Sequence, residues 1–150
     1  MNTELEDLAW QLGLKAPEHW RLRAELGLAF AGRVKHLLEE EAVIDVLAQG
    51  VRWQENKGSA DELHQLAMHA SRLAASHPGS KSIDGTAHAA VSASYAVANA
   101  LRGRPLQAAD YAAYATVYAY AASAVTDPAA YRDEYAWQVA ALRRLMAGTT

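Results

Sequence analysis

The chain has 150 residues, of which 51% are apolar and 21% charged, and a formal net charge of −3. This length suits one domain that buries about 70% of the surface of its unfolded chain. Without a Lys/Arg block to attract phosphates, the sequence predicts no nucleic-acid partner. The absence of cysteine excludes disulfides, thiolate zinc sites and a cysteine nucleophile.

The segment MNTELEDLAWQLG at the N-terminus carries acidic residues where a signal peptide needs a basic region and an apolar run. No stretch reaches the roughly 20 uninterrupted apolar residues of a membrane span. We therefore expect a cytoplasmic protein without a membrane partner.

Helical signals recur along the first half of the chain. Thr3 and Glu6 have the spacing of a capping box, and Ser59 and Glu62 repeat that spacing at a later helix start. The predicted helices share an apolar stripe with a period near 3.6 residues. In chain order they run from Thr3 to Gly13, from Pro17 to Leu38, from a break near Glu40–Ala42 to Lys57–Gly58, and from Ser59 to a stop before Pro78.

The stretch from Ser82 to Val125 is rich in alanine, the best helix former, and predicts two long helices hinged at Gly103–Pro105. Small side chains allow closely spaced helix axes, so this pair is expected at the centre of a bundle. The first helix is expected to bury Ala87, Val91, Ser94, Ala98 and Leu101. The second carries Tyr111, Tyr114, Tyr118 and Val125 on one face, while Tyr120 lies off that face and is expected at the surface.

Asp127 as N-cap and Pro128 at the first helical position predict the start of a last helix, which ends before Gly148. No segment alternates with period two, so no sheet is expected. The sequence predicts an all-α, single-domain bundle of six or seven helices with a central Ala-rich antiparallel helix pair.

Six histidines raise the question of a metal site. Asp61 and His64 are three residues apart on a helix, but a di-iron bundle needs two Glu-x-x-His motifs and two further glutamates. His64 and His69 are five apart, which is not the spacing of a zinc-protease helix. We expect no metal and no cofactor.

Asp84 and His88 are four residues apart, a spacing that fits either an acid-oriented imidazole or a small favourable surface pair. The surface pair is the preferred interpretation. The tyrosine stripe is interpreted as core, because each ring brings a large apolar area. The alternative is a phenol-lined pocket formed by Asp84, His88, Tyr95 and Tyr111.

Trp53 and Trp137 lie in polar surroundings, where a tryptophan either covers a core or anchors an interface. Glu39, Glu40 and Glu41 form an acidic run, which is either a solvated face or a surface that steers a basic partner. The residues themselves leave both alternatives open.

The segments Gly32–Glu39 and Gly50–Trp53, the latter followed by Gly58, resemble the opening of the Imm-5-like immunity proteins of bacteria. That family continues with alanine-rich helices and a Tyr-Ala element, which Ala108–Ala112 matches. A Glu-x-x-x-Gln element near its end is matched by Glu134–Gln138. The resemblance runs from about Gly32 to Leu145, within a region 32–147, so residues 1–31 are interpreted as an N-terminal helical addition within the single domain 1–150.

This resemblance implies a protein that binds and neutralises a toxin delivered between competing bacteria, with no chemistry of its own. The partner would be a cognate protein toxin. The predicted contact residues are Trp53, Trp137, Gln138, Glu39, Glu40 and Glu41. The competing hypothesis is an enzymatic or small-molecule-binding bundle with a tyrosine-lined pocket.

Overall fold

Seven α-helices and no strand occupy the residues that this computed structural model describes, 1–77 and 86–148. The predicted all-α class is therefore confirmed. The helices are α1 (Thr3–Gln11), α2 (Trp20–Gly32), α3 (Glu41–Glu55), α4 (Ala60–Ala75), α5 (Thr86–Leu101), α6 (Pro105–Tyr120) and α7 (Arg132–Ala147). Within the described ranges, no helix is both long and apolar enough to cross a membrane.

The two predicted capping boxes, at Thr3 and at Ser59, differ in their outcome. Ser59 caps α4 as predicted, since its hydroxyl accepts a hydrogen bond of 3.1 Å from the backbone N–H of Glu62. Thr3 is not the cap of α1. Asn2 takes that position, because its side-chain oxygen accepts from the N–H of Leu5 at 3.2 Å. Asparagine is as good an N-cap as serine or threonine, so the local pattern did not distinguish the two positions.

The single helix predicted from Pro17 to Leu38 is wrong at both ends. Pro17 begins a short 3-10 turn, and α2 starts only at Trp20. After Gly32 the backbone N–H of Val34 donates to the carbonyl of Ala31, three residues back. This is the hydrogen-bond spacing of a 3-10 turn, so the α-helix ends here. A second 3-10 turn follows before α3, and both Val34 and Leu38 are buried.

The alanine-rich helices α5 and α6 share the largest interface of the described chain, and α2 packs across both of them. Both helices carry fully buried alanines: Ala90, Ala93, Ala96, Ala100, Ala108, Ala109, Ala112 and Ala115. α4 packs on the other flank of α5, and α1 packs against α7. α1 and α2 therefore belong to the same core as the rest of the chain.

The predicted burial of the central pair is partly wrong. Ser94, Ala98 and Leu101 are buried, but Val91 is only half-buried, and the side chain of Ala87 lies outside the described residues. On α6, Tyr111 and Tyr114 are 38% and 37% exposed, and Tyr118 is half-buried. Val125 was predicted on the same helix but lies beyond its end, half-buried in the 3-10 turn Ala122–Thr126. Alanine contacts between close helices leave no room for phenol rings, so the rings lie on the outer side of α6. Tyr120 is exposed, as predicted.

Replacing Asp127 with alanine should lower the free energy of unfolding by about 1 kcal/mol, because the carboxylate is an N-cap. Its Oδ1 accepts from the N–H of Ala129 at 3.0 Å and caps the 3-10 turn Pro128–Tyr131, so the last α-helix begins at Arg132 and not at Pro128 as predicted. Urea unfolding measures the change. Asp45→Ala, on an exposed position inside α3, is the matched control, and an equal loss in both variants would contradict the capping role.

Candidate partner-binding site

Two segments that carry the family resemblance meet at the C-terminal end of α2. The Arg33 Nε lies 3.3 and 3.4 Å from the two carboxylate oxygens of Glu134, which is 101 residues away in sequence. The side chain of Arg33 is 43% exposed, whereas that of Glu134 is only 7% exposed. The Glu134 carboxylate is therefore buried, and it holds in place an Arg33 guanidinium that faces solvent.

Trp137 lies under this guanidinium. The Arg33 Cζ is 4.5 Å from the centroid of the Trp137 ring, and the Arg144 Cζ is 6.0 Å from it. Phe30 meets the same ring edge-on at 6.3 Å and so fixes its orientation from the core side. A shallow hollow of about 290 Å³ lies beside the half-buried indole, lined by Leu26, Ala29, Ala141 and Leu145. Trp137 thus lies beside an apolar hollow and within reach of two arginine cations.

Gln138 is fully buried, and the prediction that it contacts a partner is wrong. Its side-chain N–H donates to the carbonyl of Ala109 at 2.9 Å, and its oxygen accepts from the amide of Asn2 at 3.1 Å. These bonds join α7 to α6 and to the start of α1. Buried amides need such partners, which explains a glutamine here without any external ligand.

Trp53 is 4% exposed, so its predicted role as an interface contact is also wrong. Its indole N–H donates to the carbonyl of Ser59 at 2.8 Å. The Arg21 guanidinium lies over both Trp53 and Trp20, at 5.1 and 4.7 Å from the ring centroids. A Cβ on Gly58 would come within 2.3 Å of the Trp53 ring, so this glycine makes room for the indole. Trp53 therefore covers the hydrophobic core, which is the other role that the sequence left open.

The acidic run lies just beyond Arg33 along the chain. Glu39 and Glu41 are exposed and Glu40 is half-buried, at the entrance to α3. We define the junction face as the side chains of Arg33, Trp137 and Arg144, which lie together at the surface. Lys35 is exposed as well, so the segment from Arg33 to Glu41 carries mixed charge and not the acidic charge that the run alone suggested.

The described residues of the predicted pocket, His88, Tyr95 and Tyr111, lie side by side near the surface. His88 and Tyr111 are exposed, with Tyr95 stacked on Tyr111 at 5.3 Å between ring centroids. His88 lies 5.1 Å from the ring of Tyr118, and its predicted partner Asp84 is outside the described residues. These rings form a row along the outer side of α5 and α6.

A phenol-lined hollow of about 540 Å³ occurs elsewhere, between α6 and the start of α7. Asp110, Tyr114, Tyr131 and Tyr135 line it, and the Tyr131 hydroxyl donates to the carbonyl of Val125 at 2.8 Å. Burial raises the pKa of Asp110 above its ordinary value, against the opposing effect of the N-terminal ammonium. Burial likewise raises the pKa of Tyr131 and of Tyr135 above the ordinary value of a phenol.

The sequence did not reveal this hollow. Its residues come from two helices and the turns between them, and the carboxylate stands among alanines in a helix that was interpreted as core. Asp61 and His64, the pair considered for a metal, are both exposed. Within residues 1–77 and 86–148, no three His, Asp or Glu side chains are grouped so that they could hold an ion.

Comparison of the chain with protein-family models, with curated proteins and with solved structures finds no match. The resemblance to the Imm-5-like proteins therefore rests on the quoted segments alone. What the fold adds is their arrangement: Arg33, Glu134 and Trp137 form one contact cluster at the surface.

Proposed function

We propose that this chain is a cytoplasmic immunity-type protein that binds a partner toxin through the junction face and neutralises it by occupancy, without chemistry of its own. The observation that carries the proposal is the meeting of two family-like segments around Arg33, Glu134 and Trp137. The two family-like segments are far apart in sequence but meet in the fold. Together they present an accessible guanidinium and indole, which suits a binding surface.

The family-like residues divide into two groups by burial. Trp53 and Gln138 support the core, and a Cβ on Gly50 would come within 2.9 Å of Leu101, so that glycine is also needed for packing. Arg33 and Trp137 remain accessible at the edge of α2 and α7. Arginine and tryptophan are the residue types that most often dominate binding energy.

The junction face is held in place before any partner arrives. Glu134 fixes Arg33 with two contacts, and Phe30 fixes the indole of Trp137. Side chains that are already ordered lose little conformational entropy on binding, which favours affinity. Arg33 and Arg144 suit an acidic patch on the partner, and Glu39 and Glu41 suit a basic one, so the charges also select orientation.

Trp137→Ala should weaken the complex with the toxin by about 2 kcal/mol, roughly thirtyfold in Kd, because it removes the anchor of the junction face. The product of the adjacent gene is expressed in a sensitive host, with and without this protein, and growth rescue is measured. Calorimetry on the purified pair then gives the affinity. Trp10→Ala is the matched control, since Trp10 is 78% exposed and lies on α1.

Charge reversal provides a second matched pair on one helix. Arg144→Glu should weaken binding, whereas Arg143→Glu makes the same charge change at the next, exposed position and should not. Thermal melts establish that every variant is folded. Unchanged rescue by both Trp137→Ala and Arg144→Glu would remove the junction face from the proposal.

The hollow lined by Asp110, Tyr114, Tyr131 and Tyr135 supports the second candidate, a small-molecule-binding bundle. The phenol hydroxyls beside the Asp110 carboxyl, whose pKa is raised by burial, offer hydrogen-bond donors and acceptors to a polar ligand. A complete lack of rescue, together with a co-purifying small molecule that Asp110→Asn or Tyr131→Phe releases, would favour this function over toxin binding.

A further inference from the structure

A groove of about 560 Å³ lies between α4 and the turn that joins α5 to α6. From α4 it receives His64, Met68, Ser71 and Arg72, which share one face of the helix. The floor is apolar, formed by Leu63, Ala67 and Leu101 together with Met68. None of these residues belongs to the junction face, so the groove is a separate feature of the fold.

Three arginines line the groove. Arg72 comes from the last turn of α4, and Arg102 and Arg104 come from the turn after α5. All three are exposed, and among residues 1–77 and 86–148 none of them forms an ion pair with a carboxylate. No acidic residue of the described chain lines the groove, and the nearest acids on α4, Asp61 and Glu62, are not part of it. Positive charge is thus gathered here in a protein whose net charge is −3.

The turn that carries two of these arginines is held by its backbone. Gly103 has φ +71°, a left-handed conformation that glycine adopts without strain, and the N–H of Arg104 bonds to the carbonyl of Asn99 at 2.9 Å. A Cβ on Gly103 would meet no atom within 4 Å, so the glycine serves the conformation of the turn and not its packing. Arg102 and Arg104 on either side are therefore presented to the groove by an ordered turn.

The position of Arg104 is electrostatically unfavourable in the free protein. Arg72 and Arg102 stand at the C-terminal ends of α4 and α5, where the helix dipole favours a cation. Arg104 instead precedes Pro105 at the N-terminal, positive end of α6, and no side chain of the described residues caps that end. A bound anion would offset this placement and would pair with the guanidinium groups that line the groove.

We propose that this groove binds an organic phosphate, with the phosphoryl group on Arg72, Arg102 and Arg104 and the organic part over Met68 and Leu101. Guanidinium groups stay charged at any relevant pH and bind phosphate oxygens in pairs through their planar fork. The Ser71 hydroxyl is a further donor on the same wall. The volume lies within the range of small-molecule sites, roughly 300–1,000 Å³, and exceeds what a phosphate ion alone would fill.

The test is a titration of the purified protein with phenyl phosphate, followed by the backbone amide resonances of Ser71 and of residues 102–104. Inorganic phosphate, benzoate and a tetraglutamate peptide are titrated in parallel. We expect phenyl phosphate to bind most tightly and to shift those resonances. Arg104→Gln and Arg72→Gln should each weaken it about tenfold, the effect of losing a charge-assisted hydrogen bond. Arg143→Gln, on the exposed side of α7, is the matched control and should leave the affinity unchanged.

Four results would overturn the proposal. One is the absence of phenyl phosphate binding to the folded protein, and another is equal weakening by Arg143→Gln, which would indicate diffuse surface charge. Inorganic phosphate binding as tightly as phenyl phosphate would exclude a role for the apolar floor. Tighter binding of tetraglutamate would assign the groove to an acidic protein segment instead. Toxin rescue does not depend on any of these outcomes, so the groove and the junction face fail or hold separately.

Discussion

Replacing Trp53 with alanine is expected to lower the free energy of unfolding by about 3–5 kcal/mol, the usual cost of removing a large buried aromatic side chain. The indole is 4% exposed and packs against Trp20 at 6.2 Å between ring centroids. The substitution also leaves the carbonyl of Ser59 without its 2.8 Å donor and removes one of the two rings that cover Arg21. Urea unfolding followed by circular dichroism measures the loss.

Two further variants separate burial from the presence of an aromatic ring. Trp10→Ala removes an indole that is 78% exposed and should change stability by less than about 0.5 kcal/mol. Trp53→Phe keeps a ring but not the hydrogen bond, and should fall between wild type and Trp53→Ala. If Trp53→Ala were as stable as Trp10→Ala, the indole would not be part of the core.

This result bears on how binding experiments are interpreted. Loss of toxin rescue by Trp53→Ala would reflect a smaller folded population and not a lost contact. Trp137 is the tryptophan whose removal tests the junction face, because it is only half-buried and lies under the exposed Arg33.

Gly27→Ala is expected to lower the free energy of unfolding by about 2 kcal/mol. A Cβ at Gly27 would lie 2.7 Å from the Cα and 3.0 Å from the Cβ of Ala100, so the added methyl meets the backbone of α5. Overpacking of this kind costs about 1–3 kcal/mol, and a backbone obstacle places it at the upper end or beyond. The better helix propensity of alanine offsets roughly 1 kcal/mol of that cost.

Gly32→Ala is the matched control, because it makes the same chemical change in the same helix. A Cβ there would meet no atom within 4 Å, so this variant should be neutral or slightly more stable than wild type. Thermal unfolding of the three proteins side by side checks the prediction. If Gly27→Ala were as stable as Gly32→Ala, α2 would not approach α5 as closely as described.

Local sequence was sufficient for the fold class and for several helix ends. Alanine content, the absence of period-two segments and the cap at Ser59 depend on interactions within four residues along the chain, which a single sequence displays directly. Asp127 is also a cap, but of the 3-10 turn Pro128–Tyr131 and not of the predicted α-helix. It was also sufficient for the exposed Tyr120, which lies off the stripe of its helix. Local sequence did not separate Asn2 from Thr3, since adjacent residues were both competent caps.

Tertiary structure decided which side chains can meet a partner. Trp53 and Trp137 both lie in polar-rich segments, so their sequence surroundings do not distinguish them. Trp53 is buried beneath Arg21 and beside Gly58. Trp137 packs on Phe30 and Arg33 and stays partly accessible.

The same holds for α6, where the tyrosine stripe has helical periodicity but alanine contacts with neighbouring helices take the buried side. Periodicity identifies a face of a helix, whereas the identity of the neighbour decides whether that face is inside. The groove of Arg72, Arg102 and Arg104 is the clearest example of a feature that depends on neighbouring elements. Arg72 is far from the other two arginines in sequence, and only folding brings α4 beside the turn at Gly103.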